Sequence, residues 1–537
     1  MTEKDQNEII KILNDPQPLP RKVPDYMRRR GGMWYWTGAM VMFAFLYEVI
    51  TGLVILFYYQ PTAAYASTEN FLNSTPFGSI ILTTHLYGAY AMIALLYLHL
   101  LRNLFVGAYK KPRKNQWISG ILLLLMTLAV GFFGYSMSGD VLAANATGVG
   151  KGIAAETPVI GSYLEGIFFG NGTTASLFQR MLGWHIVLVA LIGITFLGHF
   201  FLAEYNTIMP KRSESNYRTP LVDRETSTYR PWYPYNMIYM VQIALYTFAA
   251  ILIIPSVVVA LPGVPTLFSP FPQVAAGTSF TGPLYPPWFL LFVYKAMDFQ
   301  VSSIIDPFWA TVIFAGAPLV YLLLIPFLDR NNSLSMTDRP VTVALGIIGI
   351  AYLVGLSIWG ALTPALFIPD PEVLLFFVVI GVALFVLVEL AIWSIKHRKT
   401  RFRDPAKVYI LLAMTGISAF GTGSLAIPSL ITFKPVYDIP AILLAMITAY
   451  LILLDIASMR TAETVRPMEP VSSDMKPVTY VLISAFLVFA AIVILFIITP
   501  LNPSVVSQEA GYGIGLGLLL FISGTLVKIY RKTEYGE

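Results

Sequence analysis

Four of the chain's five histidines occur as two pairs with identical spacing, each pair inside an apolar segment. His85 and His99 are fourteen residues apart, and so are His185 and His199. On an α-helix this separation is close to four turns, about 21 Å along the axis, so both members of a pair face the same way. Two such helices, packed side by side and antiparallel, would form two stacked sites with one imidazole from each helix.

A site built from two imidazoles favours haem over other metal groups. Two imidazoles without carboxylate or cysteine neighbours are too few ligands for a structural zinc ion, whereas haem iron, held by four porphyrin nitrogens, needs only two axial ligands. The pattern predicts two non-covalent haems, of b type or of haem A type, in an electron-transfer role. The alternative is that the histidines form interhelical hydrogen bonds or line a proton path, and the duplicated spacing argues against it.

Glycines repeat the same fourteen-residue period in the neighbouring apolar segments. Gly38 and Gly52 lie in the first segment, and Gly120 and Gly134 in the third. Because glycine lets a bulky flat ligand approach a helix backbone, we expect the first and third helices to press against the two haems. Glycine is also common in membrane helices as a packing residue. The prediction therefore depends on the fourteen-residue spacing that these glycines share with the histidines.

Three ionisable residues accompany this pattern. Arg102 follows His99 and Arg180 precedes His185, and a guanidinium can pair with a haem propionate, although either arginine could equally be an interface anchor. Glu48 lies four residues before Gly52. An ionisable side chain at that depth in a membrane is a functional candidate, here as a proton acceptor, the alternative being a bond to a neighbouring helix.

Composition limits the class of protein. The chain has 537 residues, of which 56% are hydrophobic and 12% charged, with a mean hydropathy of +0.68, which indicates a polytopic membrane protein. Its net charge of +5 is small and its basic residues form short clusters, so we expect lipid rather than nucleic acid as a partner. Because the chain has no cysteine, any iron–sulfur cluster or covalent haem must belong to a partner.

A span of about 20 apolar residues crosses a bilayer, and this length predicts an all-α protein with twelve transmembrane helices. They are 34–58, 78–101, 116–136, 180–202, 237–261, 307–328, 341–364, 372–396, 407–432, 438–457, 477–499 and 510–529. The predicted units are a tail (1–33), a di-haem four-helix bundle (34–205), a linker (206–236), a second four-helix unit (237–396) and about four additional helices (397–537).

The positions of the basic clusters predict the orientation. Clusters at 28–30, 110–114, 211–224 and 397–403 all fall on one side if every helix crosses, and the positive-inside rule makes that side cytoplasmic. We therefore expect a multi-pass protein of the cell (plasma) membrane with both termini, the tail and the linker in the cytoplasm. The segments 59–77, 137–179 and 262–306 are then outer loops, and His85 and His185 lie near the outer face.

These motifs resemble cytochrome b of the respiratory and photosynthetic bc-type complexes. The shared features are the paired glycines, the two histidine pairs, HLYG at 85–88 with Gly88 three residues after the first ligand, HLLR at 99–102, Gly134-Tyr135, and Arg180 ahead of His185. RP at 230–231 and the segment 326–340 also match, and the resemblance covers roughly residues 30 to 395. It identifies 237–396 as a cytochrome b C-terminal-type domain carrying a quinol-site loop, while the divergent motifs and extra helices indicate an archaeal or otherwise divergent member.

The resemblance implies an oxidoreductase subunit that oxidises a membrane quinol near the outer face. One electron would pass to a Rieske-type iron–sulfur protein and the other through an outer haem held by His85 and His185 to an inner haem held by His99 and His199. The implied partners are that protein, cytochrome or terminal oxidase subunits and lipid, in a hetero-oligomeric and dimeric complex.

The quinol site implied by the resemblance departs from the family pattern. Its residues here would be Tyr135, Pro286, Pro287, Trp288, Phe289 and Tyr294. The family has Pro-Glu-Trp-Tyr where this chain has 286–289, so the carboxylate that accepts a quinol proton is missing at Pro287. Asp298 stands where an arginine is usual. Glu48, Tyr294 and Asp298 are therefore the candidate quinol-site groups for proton transfer or binding.

Two other classes of function remain open from the sequence. A transporter can also carry ionisable residues within its helices, but it gives no reason for the fourteen-residue repeat and predicts a colourless protein. A membrane scaffold that keeps its haems without a full quinone cycle would explain the missing glutamate, and it predicts haem that quinol does not reduce.

Overall fold

The computed structural model describes residues 23–24, 27–28, 32–170, 172–206, 229–260, 286–299, 307–331, 333–364, 366–397, 405–432, 440–448, 450–451 and 506–536, with the single positions 436, 486 and 489. Within them the regular structure is helical apart from two short strands, Val23–Pro24 and Tyr229–Arg230, which pair antiparallel. Nine helices in these residues are long and apolar enough to cross a membrane. The prediction of an all-α polytopic membrane protein is confirmed.

The N-terminal part contains seven helices. They are α1 (Thr37–Leu56), α2 (Ala64–Ser74), α3 (Gly78–Val106), α4 (Lys114–Ser136), α5 (Val141–Ala155), α6 (Gly161–Phe169) and α7 (Thr174–Tyr205). The four long helices pack in two main pairs, α1 against α3 and α4 against α7. This is the predicted four-helix bundle, and each pair joins one glycine-bearing helix to one histidine-bearing helix.

The segment 137–179, which the sequence places in an outer loop, contains the two short helices α5 and α6. The Asp140 side chain begins α5 by accepting a hydrogen bond from the Ala143 N–H at 2.8 Å, and Thr173 caps α7 in the same way through the Ser176 N–H at 3.3 Å. Such caps satisfy N–H groups that have no partner within the helix. The loop is therefore a structured cover over the end of the bundle that carries His85 and His185.

The remaining described helices follow in chain order. They are α8 (Met237–Ala260), α9 (Leu291–Met297), α10 (Pro307–Thr311), α11 (Ala317–Leu328), α12 (Pro340–Leu362), α13 (Asp370–Leu374), α14 (Gly381–His397), α15 (Pro405–Thr432) and α16 (Val506–Tyr535). One helical turn, Val312–Gly316, joins α10 to α11, and another, Leu375–Ile380, joins α13 to α14. The predicted helix 438–457 is described only in part, and 477–499 lies almost wholly outside the described residues.

The last helix, α16, packs lengthwise against α8. Gly513 and Gly517 of α16 face Ser256 and Ile253 of α8 closely enough that a Cβ at either glycine would require one of these side chains to move. Close backbone approach through small residues is a common way of packing membrane helices. The C-terminal helix thus packs closely against α8 of the same chain.

Two buried polar contacts attach the ends of α16. The Glu509 carboxylate accepts a hydrogen bond from the Ile80 N–H at 3.0 Å and so caps the start of α3. At the other end, the Arg531 guanidinium donates to the Gln242 side chain at 2.9 Å and to the Arg28 carbonyl at 3.1 Å. The helix therefore holds both the histidine-bearing α3 and the N-terminal segment.

A buried ion-pair network fixes the opposite end of α3. Lys110 Nζ lies 2.5 Å from the Asp329 carboxylate, and Arg339 donates to the Phe105 carbonyl and to the Tyr109 hydroxyl, both at 2.7 Å. Burial raises the pKa of Asp329, but hydrogen bonds from Lys110 and Tyr109 outweigh that effect and hold the pKa below its usual value. Part of the predicted basic cluster 110–114 is therefore engaged inside the protein.

Candidate functional site

The fold brings the four histidines together as the sequence predicts. The 85/185 site consists of His85 on α3 and His185 on α7, whose ring centroids are 6.5 Å apart. The 99/199 site consists of His99 and His199, which lie within electrostatic range of each other. Each site therefore takes one imidazole from α3 and one from α7.

The spacing of the 85/185 site suits a metal between the rings. Two metal–imidazole bonds of about 2.0–2.1 Å, with each ring centre about 1.1 Å behind its nitrogen, place the ring centroids about 6.3 Å apart. The observed 6.5 Å between His85 and His185 agrees with that requirement. The two rings are therefore far enough apart to hold one metal ion between them.

Hydrogen bonds fix the imidazoles so that Nε2 carries the lone pair. Thr51 Oγ1 donates to the Tyr47 carbonyl and lies 2.9 Å from His85 Nδ1, so the hydroxyl oxygen accepts from Nδ1–H. Ser119 likewise donates to the Gln116 carbonyl and lies 2.9 Å from His199 Nδ1. Holding one ring nitrogen by a hydrogen bond selects the tautomer in which the other can bind a metal.

The other two histidines are oriented in related ways. His185 Nδ1 donates to the Val130 carbonyl at 3.0 Å. His99 Nδ1 lies 3.0 Å from the Thr37 hydroxyl, and the Asn103 side-chain amide is 3.1 Å from His99 Nε2. An amide N–H donates, so Nε2 of His99 also offers a lone pair. In this arrangement Nε2 carries the lone pair in all four histidines, and in His99 that lone pair accepts the hydrogen bond from Asn103.

The glycines predicted to admit the haems lie directly against the imidazoles. A Cβ added at Gly38 would be 3.0 Å from His99 Cε1, and one at Gly134 would be 2.9 Å from His185 Cε1. At Gly52 and Gly120 the distances to His85 and His199 are both 3.1 Å. The shared period of the two residue types has a direct physical cause, because each ring occupies the space left by one absent side chain on the adjacent helix.

Glu48 belongs to the 85/185 site. Its Oε2 lies 3.0 Å from His85 Nδ1, and the residue is only 8% exposed. The other oxygen, Oε1, has no hydrogen-bond partner among the described residues and faces Gly88, where an added Cβ would overlap it. Gly88, predicted as part of the cofactor site, thus makes room for this carboxylate.

The two arginines predicted near the haems differ in their surroundings. Arg102 donates to the Asn103 side-chain oxygen at 2.8 Å and lies over the Tyr35 ring at 4.8 Å. Since Asn103 also contacts His99, Arg102 is joined to the 99/199 site through one side chain. Arg180 lies in an exposed part of α7 near the end that carries His185.

The residues predicted for the quinol site form an aromatic cluster near the covering helices. Phe289 is 2% exposed and packs against Gly131 of α4, while Tyr90 of α3 makes edge contacts with both Phe289 and Trp288. The Tyr294 hydroxyl donates to the Ala146 carbonyl of α5 at 3.0 Å. This predicted set therefore connects α3, α4 and α5.

The remaining predicted quinol-site residues lie around this cluster. Pro286 and Pro287 precede the short turn Trp288–Leu290, and Tyr135 lies in the last turn of α4. Asp298 forms an ion pair with the buried Lys295 at 3.1 Å, and burial raises the pKa of Asp298 despite that partner. Lys295 also donates to the Thr363 and Leu366 carbonyls at 2.8 Å, so Asp298 belongs to a contact that joins α9 to the end of α12.

The structure adds a carboxylate that the sequence did not single out. Asp140 interacts electrostatically with Tyr90 and Tyr135. Burial raises the pKa of Asp140, and hydrogen bonds from the Ala143 N–H and the Ser138 hydroxyl oppose that shift. The sequence does carry a signal for this residue, because an aspartate commonly precedes the first turn of a helix and could have predicted the start of α5.

An apolar cavity of about 440 Å³ adjoins this cluster. It lies between α1, α3 and α8, and Trp288, Tyr87 and Tyr90 line one part of it, whereas Met33 and Met40 line another. Cavities of this size and apolar character hold small organic ligands. Of the predicted quinol contacts, only Trp288 lines it.

Comparisons with known proteins relate the chain to cytochrome b. Residues 90–276 match the family described as Cytochrome b(N-terminal)/b6/petB, and residues 281–369 match Cytochrome b(C-terminal)/b6/petD. Cytochrome b of Sulfolobus acidocaldarius is 35% identical over 95% of this chain and 94% of its own length. Cytochrome b6 of Heliobacterium mobile is 34% identical over 33% of this chain and 84% of its own length.

The fold also matches a solved structure. A chain of a hyperthermophilic respiratory Complex III superimposes with a TM-score of 0.55 at 23% identity, covering 72% of this chain and 97% of that chain. The resemblance predicted from the histidine and glycine pattern is confirmed, and this integral membrane protein belongs to the cytochrome b family.

Proposed function

We propose that the chain is the di-haem subunit of a quinol-oxidising complex in the cell membrane. The observation that carries this proposal is the pair of histidine sites, each with one imidazole from α3 and one from α7, and each imidazole presenting Nε2. The spacing of 6.5 Å between the His85 and His185 rings leaves room for one iron that both imidazoles would hold. Bis-histidine ligation leaves no coordination position for oxygen, so the sites serve electron transfer.

Residues of three kinds in the bundle would hold the two haems: histidines, glycines and arginines. His85 and His185 would hold one haem and His99 and His199 the other, while glycines of α1 and α4 keep the rings in place. Arg102, and Arg180 by its position on α7, would pair with propionates. When bound, each haem supplies a one-electron carrier, and both haem A and b types fit this donor set.

Quinol oxidation is assigned to the aromatic cluster and its adjoining cavity. A quinol releases two electrons and two protons as it becomes a quinone. Trp288 and Tyr90 provide flat apolar contacts, and the apolar walls of the cavity exclude water from the ring. Because Pro287 cannot accept a proton, we assign that role to Asp140, which does not line the cavity but interacts electrostatically with Tyr90 of its wall and has a raised pKa.

The proposed partners are electron acceptors that need ligands this chain does not contain. It contains no cysteine, so the second electron needs an acceptor such as a Rieske-type iron–sulfur protein, with cytochrome or terminal oxidase subunits beyond it. The basic clusters support an orientation with both termini in the cytoplasm and the 85/185 site near the outer face. The assembly is hetero-oligomeric and dimeric in this proposal.

The test uses the purified complex in lipid nanodiscs with a short-chain quinol as reductant. We expect quinol to reduce the b-type absorption bands in the wild-type protein and to do so several-fold more slowly in Trp288→Ala. Trp309→Ala is the matched control, because Trp309 is 48% exposed and does not line the cavity. Haem that dithionite reduces but quinol does not would contradict quinol oxidation and would support a haem-retaining scaffold.

A further inference from the structure

The four imidazoles differ in the group that holds Nδ1. His99 and His199 meet the hydroxyls of Thr37 and Ser119, and His185 meets a backbone carbonyl. Only His85 has a carboxylate partner among the described residues, with Glu48 Oε2 at 3.0 Å beside the Thr51 hydroxyl. The two histidine sites are therefore electrostatically unequal.

Thr51 and Glu48 can act only as hydrogen-bond acceptors towards His85 Nδ1. The Thr51 hydroxyl donates its proton to the Tyr47 carbonyl, so it can only accept from His85. A carboxylate is an acceptor as well. The two acceptors consequently share the single hydrogen on His85 Nδ1, and the carboxylate draws that hydrogen towards itself, which makes Nε2 a stronger electron donor.

The surroundings of Glu48 enhance this effect. The carboxylate is buried, so its interaction with the ring is weakly screened by water. Its second oxygen points at Gly88 and is not compensated by a hydrogen bond among the described residues. Glu48 does not line the apolar cavity beside Trp288, so its carboxylate acts on His85 rather than on a ligand there.

We propose that Glu48 is a positioning residue that makes His85 an electron-rich ligand and lowers the reduction potential of the haem at the 85/185 site relative to that at the 99/199 site. The inference rests on the proposed haem ligation. A negative charge beside a ligand favours the oxidised, more positive iron. Glu48 would thereby supply an asymmetry between the two sites that the paired histidines lack.

The test is an equilibrium redox titration of the two haems, followed by absorption and by low-temperature electron paramagnetic resonance. The component of the 85/185 site is identified by its loss in His185→Leu. In Glu48→Gln we expect its reduction equilibrium to shift at least tenfold towards the reduced form, which is 59 mV for one electron. The haem at the 99/199 site serves as an internal control and should not shift.

A second variant tests the same idea with Glu48 intact. In Gly88→Ala the added Cβ would displace Oε1, so we expect a shift of the 85/185 component in the same direction. Gly193→Ala is the matched control, because a Cβ there meets nothing within 4 Å. If Glu48→Gln does not bind haem at this site, Gly88→Ala decides the question.

The possible results separate this inference from the proposed function. An unchanged 85/185 potential, or an equal shift of both haems, would overturn the role of Glu48 while leaving haem ligation standing. A wild-type protein without haem would instead refute the proposed function, and this inference with it.

Discussion

Gly134→Ala perturbs the 85/185 site by the smallest possible change. The added Cβ would lie 2.9 Å from His185 Cε1, whereas packed carbon atoms stay about 3.5–4.0 Å apart, so the ring must move by about 0.6–1.1 Å. A functional group has to be held within about 0.5 Å of its working position. We therefore expect Gly134→Ala to weaken haem binding at this site and to cost about 1–3 kcal/mol through overpacking.

The assay is the haem content of the purified protein, with the low-spin spectrum of the oxidised form as a measure of bis-histidine ligation. Gly193→Ala lies on α7 itself and adds a methyl group to open space, so it should retain both haems. We expect about one haem per chain in Gly134→Ala and two in Gly193→Ala. Full haem occupancy with an unaltered spectrum in Gly134→Ala would refute the proposed fit between glycine and imidazole.

Three further variants test the contacts that support the bundle, each measured as thermal unfolding in mild detergent. Asp329→Asn should destabilise by about 1.5–3 kcal/mol, since it removes the negative charge opposite the buried Lys110, which keeps its hydrogen bonds to the Asp329 and Asn331 carbonyls. Because the folded pKa of Asp329 is lowered, its contribution is complete above about pH 4 and is lost as pH falls further, so equal acid sensitivity of wild type and variant would contradict it. Asp140→Ala should cost about 0.5–2 kcal/mol by removing a helix cap, whereas Asp140→Asn should keep it, and equal losses would count against the cap. Glu509→Ala should cost about 1–3 kcal/mol by leaving the Ile80 N–H unpaired, and no loss would mean that α16 does not stabilise α3.

The sequence was sufficient to predict the central geometry of the bundle. Periodicity alone placed two histidines on one face of α3 and two on one face of α7, because fourteen residues is nearly a whole number of helical turns. The matching period of Gly38 and Gly52 correctly pointed to the same sites. Helix lengths followed from the width of the bilayer, so the long helices of the bundle were found close to their observed bounds.

Residue spacing and helix length could not predict contacts between residues far apart in the chain. No spacing rule relates Glu509 to Ile80 or Lys110 to Asp329, since these pairs form only when distant segments pack. The short helices α5 and α6 were not predicted, because they are too short to cross a membrane and their segment has the composition of a loop. Glu48 was recognised as unusual from its depth, but its pairing with His85 depends on how α1 lies against α3.

The measurement that tests the central claim most directly is the visible spectrum of the dithionite-reduced protein with pyridine-haemochrome quantification, made on the wild type, His99→Leu and His185→Leu. We expect two haems per chain in the wild type and the loss of one, a different one, in each variant. Intact, folded wild-type protein without haem, or variants that keep both haems, would contradict it.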